Sequence, residues 1–316
     1  MDKALFKIII VKRPTRLDNL VYKFNTRQQV KFYIEHLGAD FTDYEKEHTT
    51  YYKALDTLLQ IAETKGRIQL LDWSLLSNYL FGNDDLVLTI GQDGLIANTL
   101  KYLDNQLLIG FNSDPDRWDG ILSQFTINEA NTIIDKALHK NVAVKKITKA
   151  KVELSDKQVL YAVNDFFVGV SDHTSARYTI HYSKNKEYQS SSGIIISTPL
   201  GTSGWFQSLI AGAAGIVKAV SSSAITIEKE TRSWSEDALT FVVREPFPSV
   251  STKAELVFGT ITHDNAFYIE SNMGEKGIIF SDGIQNDFLH FNSSLKAQFT
   301  IAETKGTLVI KDGGPI

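Results

Sequence analysis

The chain has 316 residues, 43% of them hydrophobic, with 33 basic against 37 acidic side chains for a formal charge of −4, and it contains no cysteine. The near-balanced, slightly acidic charge excludes a dedicated basic nucleic-acid binder. The missing thiols exclude disulfides, thiolate metal sites and cysteine nucleophiles, and no apolar run reaches the roughly 18–20 residues of a membrane helix. The size suits two domains. The apolar run at 8–11 is short and is broken by Lys12-Arg13-Pro14, so no secretory signal is expected and the protein is expected to be cytoplasmic.

Residues 6–11 read as a buried first strand, and 17–37 has helical spacing, with Leu20, Val21, Phe24, Val30, Tyr33, Ile34 and Leu37 as candidate apolar positions. A more polar helix over 43–63 follows, then a strand at 67–71 and a short helix near Trp73. A continuous apolar strand at 86–90 comes next, then Gly91-Gln92-Asp93-Gly94, a helix from Leu95 to Leu103, and a strand at 106–110. Strands alternating with helices predict a parallel, Rossmann-like sheet covered on both faces. After one more helix over 126–140 the pattern turns to strands: 142–154, 158–170, 176–182, 193–197, 225–228, 239–243, 254–258, 267–270, 277–280, 295–300 and 307–310. Period-two alternation in several of them predicts an antiparallel, sandwich-like second domain. The boundary is placed near Asp114-Pro115, giving an α/β nucleotide-binding domain over 1–114 and a β-rich domain over 115–316.

Two junctions carry chemistry. At 193–205 an apolar run (Ile194, Ile195, Ile196) stops at Ser197-Thr198-Pro199, and a turn of Gly201, Thr202, Ser203 and Gly204 leads into a helix near Trp205. Such a turn exposes backbone N–H groups and hydroxyls together, which suits phosphate or ribose oxygens; an ordinary strand–turn–helix junction looks the same. At 91–94 the glycines allow a tight turn and close approach of a ligand, and Asp93 stands at the carboxyl end of a strand, where open α/β sheets bind ligands.

Together these residues resemble the NAD kinase family, which has a Gly-Gly-Asp-Gly loop, an Asn-Glu pair, a Thr-Pro-x-Gly-Ser-x-Ala-Tyr turn and a late Asp-Gly. The counterparts here are Gly91-Gln92-Asp93-Gly94, Asn164-Asp165, Thr198-Pro199-Leu200-Gly201-Thr202-Ser203-Gly204-Trp205 and Asp282-Gly283. The stretch from Gly110 to Arg117, Ser191-Ser192-Gly193, Trp205 and Val243-Arg244-Glu245-Pro246 are similar to the mitochondrial-type branch. The resemblance runs in consistent order from about residue 5 to residue 310. The chain departs from it at Gln92 (for Gly), Asp165 (for Glu), Ser192 (for Asp in most members) and Gly204 (for Ala).

The resemblance implies an NAD kinase/diacylglycerol kinase-like fold and transfer of the γ-phosphoryl group of ATP to the 2′-hydroxyl of the adenosine ribose of NAD. It makes Asp93 the acceptor of the hydroxyl proton or its orienting group; satisfying loop N–H groups is the alternative role. Asn164 and Asp165 would hold ribose hydroxyls, or form a turn. Gly91, Gln92, Gly94, Asn112, Ser192, Thr198, Gly201, Thr202, Ser203, Trp205 and Ser208 would line an NAD/ATP pocket between the domains. For Asn112 the alternative is to cap the next turn, and for Trp205 to pack in the core. Mg2+ is implied with ATP, bound through the phosphates rather than by a protein cluster, and no protein metal site is expected. The partners implied are NAD and ATP, with a homodimer or homotetramer and neither nucleic acid nor membrane. A catalytically impaired nucleotide-binding or regulatory homologue, or a lipid or sugar kinase of the same broad fold, is the alternative.

Overall fold

The computed structural model describes residues 6–221 and 232–312, apart from the side chains at 285 and 286. The strand expected at 225–228 lies outside the described residues. In chain order the first elements are β1 (Lys7–Lys12), α1 (Arg16–Phe24), α2 (Arg27–His36), α3 (Phe41–Glu63), β2 (Arg67–Asp72), β3 (Leu86–Ile90), α4 (Asp93–Leu100), β4 (Leu107–Asn112), β5 (Phe125–Thr126), α5 (Ala130–Leu138) and β6 (Val144–Ile147). Then come β7 (Ala150–Leu154), β8 (Val159–Ala162), β9 (Asp165–Val170), β10 (Ala176–Tyr182), β11 (Asn185–Ser191), β12 (Ile194–Ser197) and α6 (Trp205–Val220). The remaining strands are β13 (Leu239–Val243), β14 (Phe258–Ile261), β15 (Phe267–Ser271), β16 (Gly277–Ser281), β17 (Ile284–His290), β18 (Lys296–Ile301) and β19 (Gly306–Val309).

The chain forms two compact units, residues 1–145 with 307–315, and residues 146–306. The division therefore falls about thirty residues beyond the expected boundary at Asp114-Pro115. The reason is packing. β5 pairs in parallel with β4, and Ile133, Ile134 and Ala137 of α5 share a buried core with β1, β3 and β4. The strand at the end of the chain is also in the first unit, because β19 pairs in parallel with β4.

In the first unit the sheet order is β2-β1-β3-β4-β19-β6. The pairs β1–β2, β1–β3, β3–β4 and β4–β19 are parallel. Ile8, Ile9, Ile10 and Val11 are fully buried, as are all five residues of β3, which is the signature of a parallel sheet covered on both faces. The helix expected over 17–37 is two helices. Asn25 takes a φ of 66°, a left-handed value that Asn tolerates, and Thr26 then caps α2 by accepting a hydrogen bond from the Gln29 N–H. A capping box between Thr15 and Asp18 starts α1 directly after β1.

The second unit is built from two antiparallel six-stranded sheets, β11-β10-β15-β18-β7-β8 and β14-β13-β12-β9-β16-β17. Alternate residues of both sheets share one core, including Phe166, Tyr178, Ile194, Ile196, Phe241, Phe267 and Phe299. The outer face of the second sheet is apolar too. Phe167, Ile195, Ile278 and Phe280 cluster there with Trp205 and Leu209 of α6. This double cover explains why 194–196 is an unbroken apolar run rather than an alternating one. The strands expected at 142–154 and 158–170 are each two strands. Those at 185–191 and 284–290 were not expected from the pattern, because polar side chains dominate the first and the second follows directly on the Asp282-Gly283 turn. The strand expected at 254–258 begins only at Phe258.

Candidate functional site

In the first unit the chain runs from β1 to β2 on one side and pairs with β3 on the other, so the strand order reverses at β1/β3. Ligands of open α/β sheets bind in the crevice beyond the carboxyl ends of strands at such a reversal. Here that crevice is small, about 80 Å3, and Arg13, Arg16, Tyr51, Gly91, Gln92 and Ser113 help to line it. Gly91 has a φ of 136°, a conformation side chains rarely adopt. Gln92 does not need to be glycine: its backbone is extended (φ −89°, ψ 162°), and it starts α4 without a side-chain cap. Gly94 lies in the first turn of α4 with open space where a Cβ would be.

The Asp93 carboxylate is engaged. It accepts hydrogen bonds from the Ile121 N–H (2.9 Å), the Ser123 N–H (2.9 Å) and the Ser123 hydroxyl (2.8 Å), tying the 121–123 segment to the start of α4. Asn112 is buried and takes the turn-holding role. Its amide donates to the Trp118 carbonyl (2.8 Å), and its oxygen accepts from the Asp114 N–H (3.0 Å). Arg16 and Arg117 converge on Asp43, whose carboxyl is held well below the usual range, first by Arg117 and then by Arg16. Arg13 stands apart from that network. Its N–H donates to the Tyr51 hydroxyl, and its guanidinium lies 5.9 Å from the Trp73 ring. Burial pushes Tyr51 up to about 12, so its hydroxyl stays neutral.

In the second unit the sequence-predicted residues fall into a clamp and a cleft. The clamp holds the break between β8 and β9, at Val163-Asn164-Asp165. The Thr198 hydroxyl donates to the Val163 carbonyl (2.5 Å), and the Thr198 N–H donates to the Asn164 carbonyl (2.9 Å). Gly201 packs so close that an added Cβ would lie 2.0 Å from the Asn164 oxygen, which makes glycine obligatory. Thr198 is thus buried and structural, and its hydroxyl also accepts from the Gly201 N–H. Thr202 and Ser203 hydroxyls bond to the carbonyls of Pro199 and Leu200 in the same turn.

Asp165 is 6% exposed. Burial first, and the charge of Asp282 second, push its carboxyl up to about 7. No group among the described residues donates a hydrogen bond to that carboxylate. Its oxygens are nonetheless not among the fully enclosed polar atoms, so they remain open to water or to ligand hydroxyls.

The cleft, about 650 Å3, opens on the outer face of the second sheet. Its floor is a stack of rings, Trp205 over Phe167 (5.7 Å, 13° between planes) and over Phe280 (6.5 Å, 20°). The Arg244 guanidinium lies 5.4 Å from the Trp205 ring, with its Nε buried and without a partner among the described residues. Glu245 takes a φ of 40° just after it, a strained value of the kind that collects at binding sites. His290 and Lys276 stand at the rim. A flat apolar floor under a cation suits a planar ring carrying an anionic group. Ser192 is exposed, and its N–H donates to the Arg244 carbonyl. Ser208 is exposed on α6 and is not part of the lining.

Sequence reasoning missed Phe167, Phe280 and His290, which carry no motif and meet only through strand register. It named Arg244 and Asp282 only as parts of a resemblance.

No family model matches the chain, and no curated protein matches its sequence. Solved structures do match. An NAD kinase from Archaeoglobus fulgidus in complex with ATP is 15% identical, with a TM-score of 0.55, over 97% of this chain and 94% of that one. Yeast NADH kinase complexed with NADH is 16% identical, with a TM-score of 0.57, over 98% of this chain and 84% of that one. At this identity the likeness establishes the fold: a parallel-containing α/β unit and a β-rich antiparallel unit, as in NAD kinases.

Proposed function

We propose that the protein is an NAD kinase-like phosphotransferase that moves the γ-phosphoryl group of ATP to the 2′-hydroxyl of the adenosine ribose of NAD. The observation that carries this reading is Asp165, a largely buried carboxylate that accepts no hydrogen bond among the described residues, beside a clamp made by the Thr198–Gly201 turn within a fold shared with NAD kinases. A carboxylate there accepts from ribose hydroxyls, with Asn164 beside it. The aromatic cleft with Trp205 and Arg244 takes a ring of the dinucleotide. In the first unit the backbone N–H groups at Gln92 and Gly94, at the start of α4, receive phosphate oxygens, with Arg13 available to them, while the Gly91 N–H is held by the Phe111 carbonyl.

Asp93 orients the attacking hydroxyl or takes its proton; its three present bonds keep it at the mouth of the loop. Mg2+ accompanies ATP. Such a cation is held mainly by phosphates and one or two carboxylates. Bound there, it neutralises phosphate charge. A homodimer or homotetramer is the proposed assembly, supported by the exposure of Ile216 (65%) and Val220 (80%) on α6.

The test is NADP formation from NAD, ATP and Mg2+, followed with an NADP-specific dehydrogenase, in wild type and Asp93→Asn. Turnover that collapses in the variant supports the reading. One observation favours a second reading, a nucleotide-binding homologue without turnover: the Asp93 carboxylate is committed to the 121–123 segment. NAD binding with no NADP formed in wild type would establish that reading instead.

A further inference from the structure

The Asp282-Gly283 pair makes the two-residue turn between β16 and β17, with φ values of 53° and 72°. Both are left-handed, as a type I′ hairpin requires, and Asp-Gly is a preferred pair for it. The turn alone would be served equally by Asn-Gly or Gly-Gly.

What the turn does not explain is where the carboxylate goes. Asp282 Oδ1 accepts from the N–H groups of Val163 (3.1 Å), Asn164 (2.6 Å) and Asp165 (3.3 Å), and Oδ2 accepts from Val163 (3.0 Å). The Asp282 N–H donates back to the Asp165 carbonyl (3.0 Å). Residues 163–165 are thus gripped on their N–H side by Asp282 and on their carbonyl side by Thr198.

We propose that Asp282 is a positioning residue for the nucleotide site. By collecting three consecutive amides it fixes the backbone that presents Asn164 and Asp165 to the ligand. This rests on the NAD reading for the identity of the ligand, and on geometry alone for the clamp.

The choice of a carboxylate is informative. It places a second acid beside the buried Asp165, where like charges disfavour ionisation. The carboxylate suits three N–H donors through charge-assisted bonds, and its local cost is the like charge it sets beside Asp165. After burial, the charge of Asp282 is what raises Asp165, so the same residue that sets the backbone also raises the proton affinity of the side chain it presents.

The experiment compares wild type with Asp282→Gly and Asp282→Asn, both of which suit the left-handed turn. Three readouts are taken: amide hydrogen exchange at 163–165, the 13C titration of the Asp165 carboxyl, and equilibrium binding of NAD and of ATP. In Asp282→Gly, exchange at 163–165 should rise at least tenfold while the β12 amides stay protected. NAD affinity should fall at least tenfold, with ATP affinity within twofold of wild type. In both variants the Asp165 titration should move to lower pH. Unchanged exchange at 163–165, or NAD affinity within twofold of wild type in Asp282→Gly, overturns the proposal. A hairpin collapse would show as lost protection throughout β16 and β17 in Asp282→Gly but not in Asp282→Asn, and would also overturn it. If wild type binds no NAD, the functional reading falls, and exchange with the titration still decides the clamp.

Discussion

Asp165 makes the sharpest single-residue prediction. Its carboxyl is lifted from 3.8 to about 7 by burial and by Asp282. Between about pH 4 and pH 7 the native state therefore binds more protons than the unfolded chain, and stability falls as pH rises through that window. The contribution is full below about pH 4 and gone above about pH 7. Asp165→Asn should be near wild-type stability at pH 4 and more stable at pH 8, by on the order of a few kcal/mol. Urea unfolding at pH 4, 6 and 8 measures this, and parallel curves for the two proteins would sink it. Because the ionised form is the better acceptor of ribose hydroxyls, NAD affinity in wild type should weaken as pH drops below about 7. Gly94 tests the phosphate side. Neither its conformation nor its surroundings require glycine, so Gly94→Ala should stabilise the protein by about 0.5–1 kcal/mol. If a phosphate approaches that backbone, kcat/KM for ATP falls in the same variant. A gain in both stability and activity would remove Gly94 from the site.

At the scale of elements, the 198–201 turn is a structural keystone for the 163–165 break before it is anything else. Gly201→Ala would drive a methyl group into the Asn164 carbonyl at 2.0 Å, a backbone atom that cannot swing aside. The expected loss is at least about 2–3 kcal/mol, read from the urea midpoint, with NAD affinity lost alongside. A variant of wild-type stability would show that the turn is looser than its geometry. The aromatic floor depends on register. β9 pairs with both β12 and β16, which puts Phe167 beside Ile195 and Phe280 on the outer face. Shifting β9 by one residue would send Phe166 outward instead.

At the scale of the molecule, two compact units each have their own buried core, and among the described residues no helix is long and apolar enough to cross a membrane. If NAD is the ligand, it stabilises the native state by its own binding free energy. NAD at about 100 times its Kd should add roughly 2.7 kcal/mol, seen as an upward shift of Tm. Arg244→Gln should reduce that shift if the Trp205 cleft holds a ring of the dinucleotide, and leave it unchanged otherwise. Periodicity and turn chemistry alone determined the α/β-then-β order, the strand–loop–helix at 86–100 and the hydroxyl turn after β12, because each is set within one short window. The hexapeptide Ile-Ala-Glu-Thr-Lys-Gly shows the limit of such windows: at 61–66 it ends α3, and at 301–306 it joins β18 to β19, so the flanking pattern decides its form. Only the tertiary structure decided that β19 returns to the first sheet, that Asn112 is spent holding its own loop, that Phe167, Phe280 and Arg244 meet Trp205, and that Asp282 reaches residues more than a hundred positions away. Each of these depends on which strands pair, and pairing is chosen by the burial of whole faces, a quantity that no local stretch of sequence contains.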